Sequence, residues 1–369
     1  MTILVLNAGS SSLKYQLCTP EGQTLMRGLI ERIGEPGGPV TDHRSAVEQV
    51  LSQLPPGTEL WAIGHRVVHG GERFREATRL TPEVLAALQQ LTPLAPLHNP
   101  PALAGIDGAL ALQPDVPNVA VFDTAFHATL PPEAYLYALP YRLYQEHGLR
   151  RYGFHGTSHA YVARRAAEML GRPLEQLKLV TLHLGNGASA CAVQHGRSVD
   201  TSMGFTPLEG LVMGTRSGDL DPAVVVWLAE REGLAKTNTL LNRESGVLGL
   251  SGISNDLRDL HRAREDGDER ATLALQVMAR RIRKYVGAYA AAMDGLDAVV
   301  FTGGAGEHDT WLRAEVVGRL NVLGLRLDAE ANQSRQPLIS RPGPVAALVI
   351  PTDEEGEIAL QTSRLLELG

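Results

Sequence analysis

The chain has 369 residues, more than a single hydrophobic core of ordinary size accommodates, so two domains are expected. Its hydrophobic share of 44% can fill both cores, and a formal net charge of −7 with no basic run excludes a nucleic-acid surface and confines phosphate contacts to local sites. Two cysteines, Cys18 and Cys191, without metal-ligand spacing or a disulfide framework, no charged leader and no apolar run near the ~18 residues of a membrane span predict a cytoplasmic protein with both cysteines in its core.

In chain order, the apolar run Ile3 to Leu6 enters the small polar turn Asn7-Ala8-Gly9-Ser10-Ser11-Ser12 and then Leu13-Lys14. A related pattern returns at Leu179 to Leu184, followed by Gly185-Asn186-Gly187-Ala188-Ser189, with Gly187 standing 178 positions after Gly9 (187 − 9). Glycine lets backbone approach a ligand, and successive N–H groups with Ser or Asn side chains suit phosphate oxygens. Either turn alone is most often an ordinary hairpin. Together they suggest one phosphate chain gripped from both sides, a nucleotide between two similar domains. None of the four lysines follows a glycine, so a P-loop is absent.

Strand-like and helical runs alternate along the whole chain, the pattern of an α/β protein. Ser45 with Glu48 forms a capping box for a helix carrying Val47, Val50 and Leu51, and Thr81-Pro82 opens a second helix. A third follows Gly153-Phe154-His155-Gly156 and stops at Gly171. The longest helical pattern runs from about Ala271 to Met293, with apolar residues over much of its circumference, as expected for a central helix or one in a subunit contact. Asp297 to Phe301 is a buried-strand run entering Thr302 to Glu307. With no linker to divide the chain, the boundary is placed near residue 150, where the second phosphate-type turn needs its own sheet.

Chemistry-bearing residues sit just beyond strands. Gly64-His65-Arg66-Val67-Val68-His69 follows a short strand from Trp61 to Ile63, and Asp123 follows the strand Val119 to Phe122. Ligands of open α/β sheets gather at such strand ends. Taken singly, Arg66 reads equally as a solvated arginine and Asp123 as a helix cap. His155 and His159 would share a helix face and suggest zinc, but Gly156 stands where a metallohydrolase carries Glu, so His155 is read as a donor to an anion. Gly214-Thr215-Arg216-Ser217-Gly218-Asp219 presents one arginine, whose planar fork grips carboxylate or phosphate.

Asn7 to Lys14, His65 to Gly71, Asp123 to His127, Gly153 to His159, His183 to Gly187, Gly214 to Asp219, Ser254 to Arg258 and Gly303 to Glu307, in this order over nearly the whole chain, resemble the acetate kinase family. The resemblance implies two similar actin-like ATPase (ribonuclease H-like) domains with a nucleotide cleft between them. On that reading residues 1–150 plus 356–369 form the acid-binding domain with a returning C-terminal helix, and residues 151–355 bind the nucleotide. It also implies reversible transfer of the ATP γ-phosphoryl group to acetate, giving acetyl phosphate and ADP, with Mg²⁺ or alternatively Mn²⁺, in a homodimer.

By matching motif positions, the resemblance puts Asn7 and Glu354 at the metal and Ser10, Ser12 and Lys14 along the phosphates. Arg66 and Arg216 would hold acetate and the migrating phosphoryl group, Asp123 would be the acid/base or orienting carboxylate, and His155 would stabilise the transition state. Val68, Leu97, Phe154 and Pro207 would line a pocket for the methyl group. His183, Leu184, Gly185, Asn186, Gly187, Asp256, Leu257, Arg258, Gly304, Ala305, Gly306, Glu307 and His308 would surround the nucleotide. Departures from the family pattern are a shortened segment between about Glu31 and Ser45, Ala305 for Ile, His308 for Asn and Asp353 for Asn. The alternatives are a propionate kinase of the same group and, from another class, an actin-like ATPase switch that phosphorylates no acid.

Overall fold

In β1 (Thr2–Ala8) every residue from Ile3 to Leu6 is buried, because side chains alternate between two covered faces. Leu4 and Leu6 pack beneath the helices His43–Ser52 and Asn99–Leu112, with Val47, Val50 and Ala109. Ile3 and Val5 meet Ile358 and Ala359 of the C-terminal helix Glu354–Glu367. The computed structural model describes residues 1–96 and 98–367, so Leu97 lies outside the described residues.

Antiparallel strands β2 (Ser12–Cys18) and β3 (Thr24–Glu31) extend this sheet on one side of β1. On the other side, β4 (Leu60–Val67) and β6 (Asn118–Phe122) continue it in parallel, with β5 (Thr78–Arg79) at the edge. A second sheet repeats the plan: β7 (Lys178–Leu184), β8 (Ala188–Gln194) and β9 (Arg197–Thr201) form the antiparallel part. β10 (Ala298–Thr302) and β11 (Ala346–Val349) continue in parallel from β7. The spatial orders β3-β2-β1-β4-β6 and β9-β8-β7-β10-β11 therefore match, as expected for two similar α/β domains.

Backbone contacts divide the chain into two units, the first of Met1–Ala128, Phe154–Tyr161 and the segment from Asp353 onward, the second of Thr129–Gly153 and Val162–Thr352. In the second unit the helix Glu269–Ala292 lies on β7 and β8 and buries Met278, Ile282, Val286 and Tyr289. Both cysteines are buried. No helix among the described residues is long and apolar enough to cross a membrane.

Local structure follows the sequence closely, with two differences. The helix opened by Thr81 runs Pro82–Gln90, and the one after His155 runs Gly156–Leu170. The first helix, however, is capped by Asp42, whose extended backbone lets its Oδ1 accept the Ser45 N–H at 2.8 Å, while Ser45 is already inside the helix. The strand expected at Trp61 to Ile63 continues to Val67, because Gly64 and His65 pair with β1 and β6 on both sides. The shortened segment after Glu31 is a loop of residues 32–42.

Candidate active site

In the first unit, the longer β4 puts Arg66 on the strand itself rather than after it. Its register partner is Val121 of β6, which leads to Asp123. The guanidinium grips Asp123 with two parallel bonds, Nε to Oδ1 at 2.9 Å and Nη2 to Oδ2 at 2.6 Å. Its Nη1 donates to Asn7 Oδ1 at 3.4 Å, and Nη2 lies 3.7 Å from Glu354 Oε2. Burial pulls against the Arg66 charge, but Asp123 and Glu354 outweigh it and hold the guanidinium firmly protonated.

His155 joins the same unit through its neighbour. The Gly156 N–H donates to the Asp123 carbonyl at 2.9 Å, and a Cβ on Gly156 would sit 2.2 Å from that oxygen. His155 itself has φ 56°, a left-handed conformation that costs a non-glycine residue about 1–2 kcal/mol and is typical of functional positions. Since the helix begins at Gly156, His155 is outside it and does not share a helical face with His159.

A third carboxylate, Glu355, escaped the sequence reading. It is buried and accepts from Asn7 Nδ2 at 3.1 Å and from Lys14 Nζ at 2.8 Å, which turns the Asn7 carbonyl oxygen toward Arg66. Its neighbour Glu354 keeps a buried Oε2 with no hydrogen-bond partner. A carboxylate oxygen without a hydrogen bond and an amide oxygen, both facing the Arg66 guanidinium, fit a small hard divalent cation that completes its shell with water and substrate phosphates. Asp353 caps the C-terminal helix, its Oδ1 accepting the Gly356 N–H at 2.9 Å and Gln16 Nε2 at 3.3 Å, so the Asn-to-Asp departure is absorbed by a residue equally suited to a cap.

In the second unit, the β7–β8 turn closes through Gly185 N–H to the Gly187 carbonyl at 3.1 Å. Asn186 ties it to two other segments. Its Oδ1 accepts from Asn255 Nδ2 at 2.9 Å and its carbonyl accepts the Gly214 N–H at 2.9 Å. A cavity of about 990 Å³ opens here, lined by Gly185, Asn186, Asp256, Leu257, Arg258, Gly304, Ala305 and His308. Asp256 caps the helix Leu257–Glu265 and is held by Arg258, whose hydrogen bonds lower its pKa to about 2.

Arg216, in the second unit, has no acidic partner among the described residues. It is half-buried, its Nη1 donates to the Pro207 carbonyl at 3.0 Å, and no carboxylate lies within ion-pair distance among the described residues. Desolvation accordingly lowers its pKa.

The sequence model of the acetokinase family matches residues 2–360. The chain belongs to this family. A relative named acetate kinase from Desulfitobacterium hafniense is 50% identical over 400 aligned positions, covering all of both chains. The crystal structure of Porphyromonas gingivalis acetate kinase shares 46% identity and superimposes with a TM-score of 0.93, covering 99% of each chain. A propionate kinase structure from Francisella tularensis shares 38% identity with a TM-score of 0.92, covering 98% of each.

Of the expected site residues, Asn7, Lys14, Arg66, Asp123, His155 and Glu354 belong to the first unit, with half-buried Val68 and buried Phe154. Ser10 is exposed and Ser12 half-buried at the β1–β2 turn. Arg216, Pro207 and the nucleotide-side residues belong to the second unit. Leu184 and Gly306 are buried, and the Glu307 carboxylate turns back to accept the Gly303 and Thr352 N–H groups at 3.1 and 3.3 Å. His183 and Gly187 flank the turn without lining the cavity. Its walls also include His261, Arg264, Trp311 and Arg335, which the sequence did not single out. His261 Nε2 bonds Asp309 Oδ2 at 2.7 Å, and Trp311 stacks edge-on against His261 with Arg264 over its ring.

Proposed function

We propose that this member of the acetokinase family transfers the γ-phosphoryl group of ATP reversibly to acetate, giving acetyl phosphate and ADP, with Mg²⁺ as its divalent cation. Arg216 carries this reading: a desolvated guanidinium without a carboxylate partner, when the other site arginine, Arg66, is doubly bonded to Asp123, is suited to an incoming anion. A nucleotide switch that phosphorylates no acid has no need to bind a carboxylate beside the apolar surface of Val68 and Phe154.

An acetate oxygen attacks the γ-phosphorus in line, the P–O bond to the β-phosphate breaks, and its electron pair leaves with ADP. Carboxylate is already ionised at neutral pH, so no strong base is required, and Asp123 serves to hold Arg66. Arg66 offsets the acid's charge, and Val68 and Phe154 contribute apolar surface for the methyl group. Arg216 and His155 donate to equatorial oxygens whose charge grows toward the transition state, so they act more on turnover than on binding. Asn7 Oδ1 and Glu354 Oε2 would hold the cation, which when bound offsets phosphate charge. The Asn186 turn, Gly304 and Ala305 take the nucleotide.

The helix Pro222–Glu232 buries none of its residues and exposes Val224, Val226 and Trp227, which supports a homodimer covering that face. Acyl phosphate formation from acetate, propionate and butyrate with ATP and Mg²⁺ tests the chemistry. Acetate should give the highest kcat/KM and a chelator should abolish it. One methylene is worth only about 1–3 kcal/mol, so a tenfold preference for propionate would make the enzyme a propionate kinase. ATP hydrolysis without acyl phosphate would overturn the proposal.

A further inference from the structure

We propose that Asp219, Arg281 and Tyr285 form a clamp that positions Arg216 for its role in turnover. The inference rests on the reading of Arg216 given above.

Arg216 stands in the middle of a loop from Gly210 to Asp219, outside any helix or strand. Among the described residues its guanidinium has a single oxygen partner, the Pro207 carbonyl, so its aim depends on the loop backbone. That backbone is closed at its base. The Asp219 N–H donates to the Gly210 carbonyl at 3.1 Å, and the Gly210 N–H donates to Asp219 Oδ1 at 2.8 Å.

The helix Glu269–Ala292 secures both ends at once. Arg281 Nη1 donates to the Gly210 carbonyl at 2.8 Å, and its Nη2 donates to the Asp219 carbonyl at 3.1 Å. Tyr285 Oη donates to Asp219 Oδ2 at 2.8 Å, and Arg281 adds an ion pair to the same oxygen at 3.5 Å. Arg281 and Tyr285 are four residues apart and so share one helical face. The helix is a rigid anchor, because Met278, Ile282, Val286 and Tyr289 fix it in the core.

Sterics leave the loop little freedom. Gly210 has φ 108°, and a Cβ there would lie 2.5 Å from the Ser202 carbonyl oxygen. Gly218 has φ 66°, and a Cβ on it would lie 2.4 Å from the Leu211 carbonyl oxygen. The tip is pinned as well, since Ser217 N–H reaches the Leu241 carbonyl at 3.1 Å and Ser245 N–H the Thr215 carbonyl at 2.9 Å. Asp219 and its two partners touch none of the residues given to substrate here, so they act through Arg216 and the loop that carries it.

A double-mutant cycle tests this. Asp219→Ala should lower kcat about 10–100-fold, the scale of a 1 Å misplacement, with KM for ATP within about two-fold. Tyr285→Phe, which keeps the core packing and deletes one bond, should lower kcat less and supplies the result if Asp219→Ala does not fold. In an Arg216→Ala background both substitutions should change kcat by less than about two-fold, because the group they position is gone. Equal losses in both backgrounds, or wild-type kcat in folded single variants, would overturn the clamp alone. Wild-type turnover in Arg216→Ala would overturn the clamp together with the reading of Arg216.

Discussion

The two hairpins share a backbone plan and differ in charge. At the β1–β2 turn, Asn7 faces Lys14 in register, and Lys14, Glu355, Asn7, Arg66 and Asp123 form one chain of contacts that Glu354 joins at Arg66. At the β7–β8 turn, His183 faces Ser189, and Asn186 meets an amide side chain and a backbone N–H. The first hairpin holds ions that fix one another, suited to a metal, an acid and a migrating charge. The second is neutral at its turn and opens on a wide cavity, suited to a nucleotide recognised by shape and dipoles. A repeated fold thus supplied two copies of one turn, and side chains from distant segments gave each its chemistry.

The largest effect should come from Arg216→Ala, a loss of about 10³ in kcat with a smaller change in either KM, read by steady-state acyl phosphate formation. Next, Arg66→Ala should raise the KM for acetate and lower turnover. It would also strip a nearly buried Asp123 of its counter-charge, a destabilisation of about 3 kcal/mol measurable by denaturant unfolding. If Arg66→Ala were neutral in both measurements, the ionic character of the first hairpin would be incidental.

Acid should affect the first unit before the second. Burial pushes His65 and His69 of that unit down from 6.5 to about 4, with the bond to Asn118 only partly opposing this at His65. The unfolded chain therefore takes up protons first, and stability present above pH 6.5 is lost as pH falls toward 4, by up to about 3 kcal/mol per histidine. Hydrogen exchange should show β4 opening in that window, and His65→Gln should reduce the slope by about one proton. A slope unchanged in that variant would remove His65 as the cause.

The smallest effect belongs to the second turn: Asn186→Ala should raise the KM for ATP about five-fold, roughly 1 kcal/mol for one neutral hydrogen bond, with kcat nearly unchanged. Asn7→Ala, by contrast, should lower kcat and raise the cation concentration needed for half-maximal rate. Similar behaviour of the two variants would dissolve the contrast between the hairpins.

Contiguous features were the most legible ones. Thr81 capping its helix, the long helix near residues 271–293 and the strand entering Gly303 depend on neighbours in the chain, and the structure places all three close to the expected bounds. Asp42 was missed in favour of Ser45 because both offer an oxygen, and only the backbone angles decide which precedes the first turn. β4 was cut short because a glycine and a histidine look like a turn, whereas pairing on both edges keeps them extended.

The ordered series of motifs, from the Asn7 turn to Glu307, determined the family and the duplicated fold, since hydrophobic alternation and turn chemistry are local properties that a linear sequence records. Tertiary structure alone decided that Glu355 orients Asn7, that Trp311 and His261 wall the cavity, and that Arg281 and Tyr285 secure the loop of Arg216. Those contacts join residues dozens to hundreds of positions apart, and a hydrogen bond reads distance in space, which no spacing along the chain encodes.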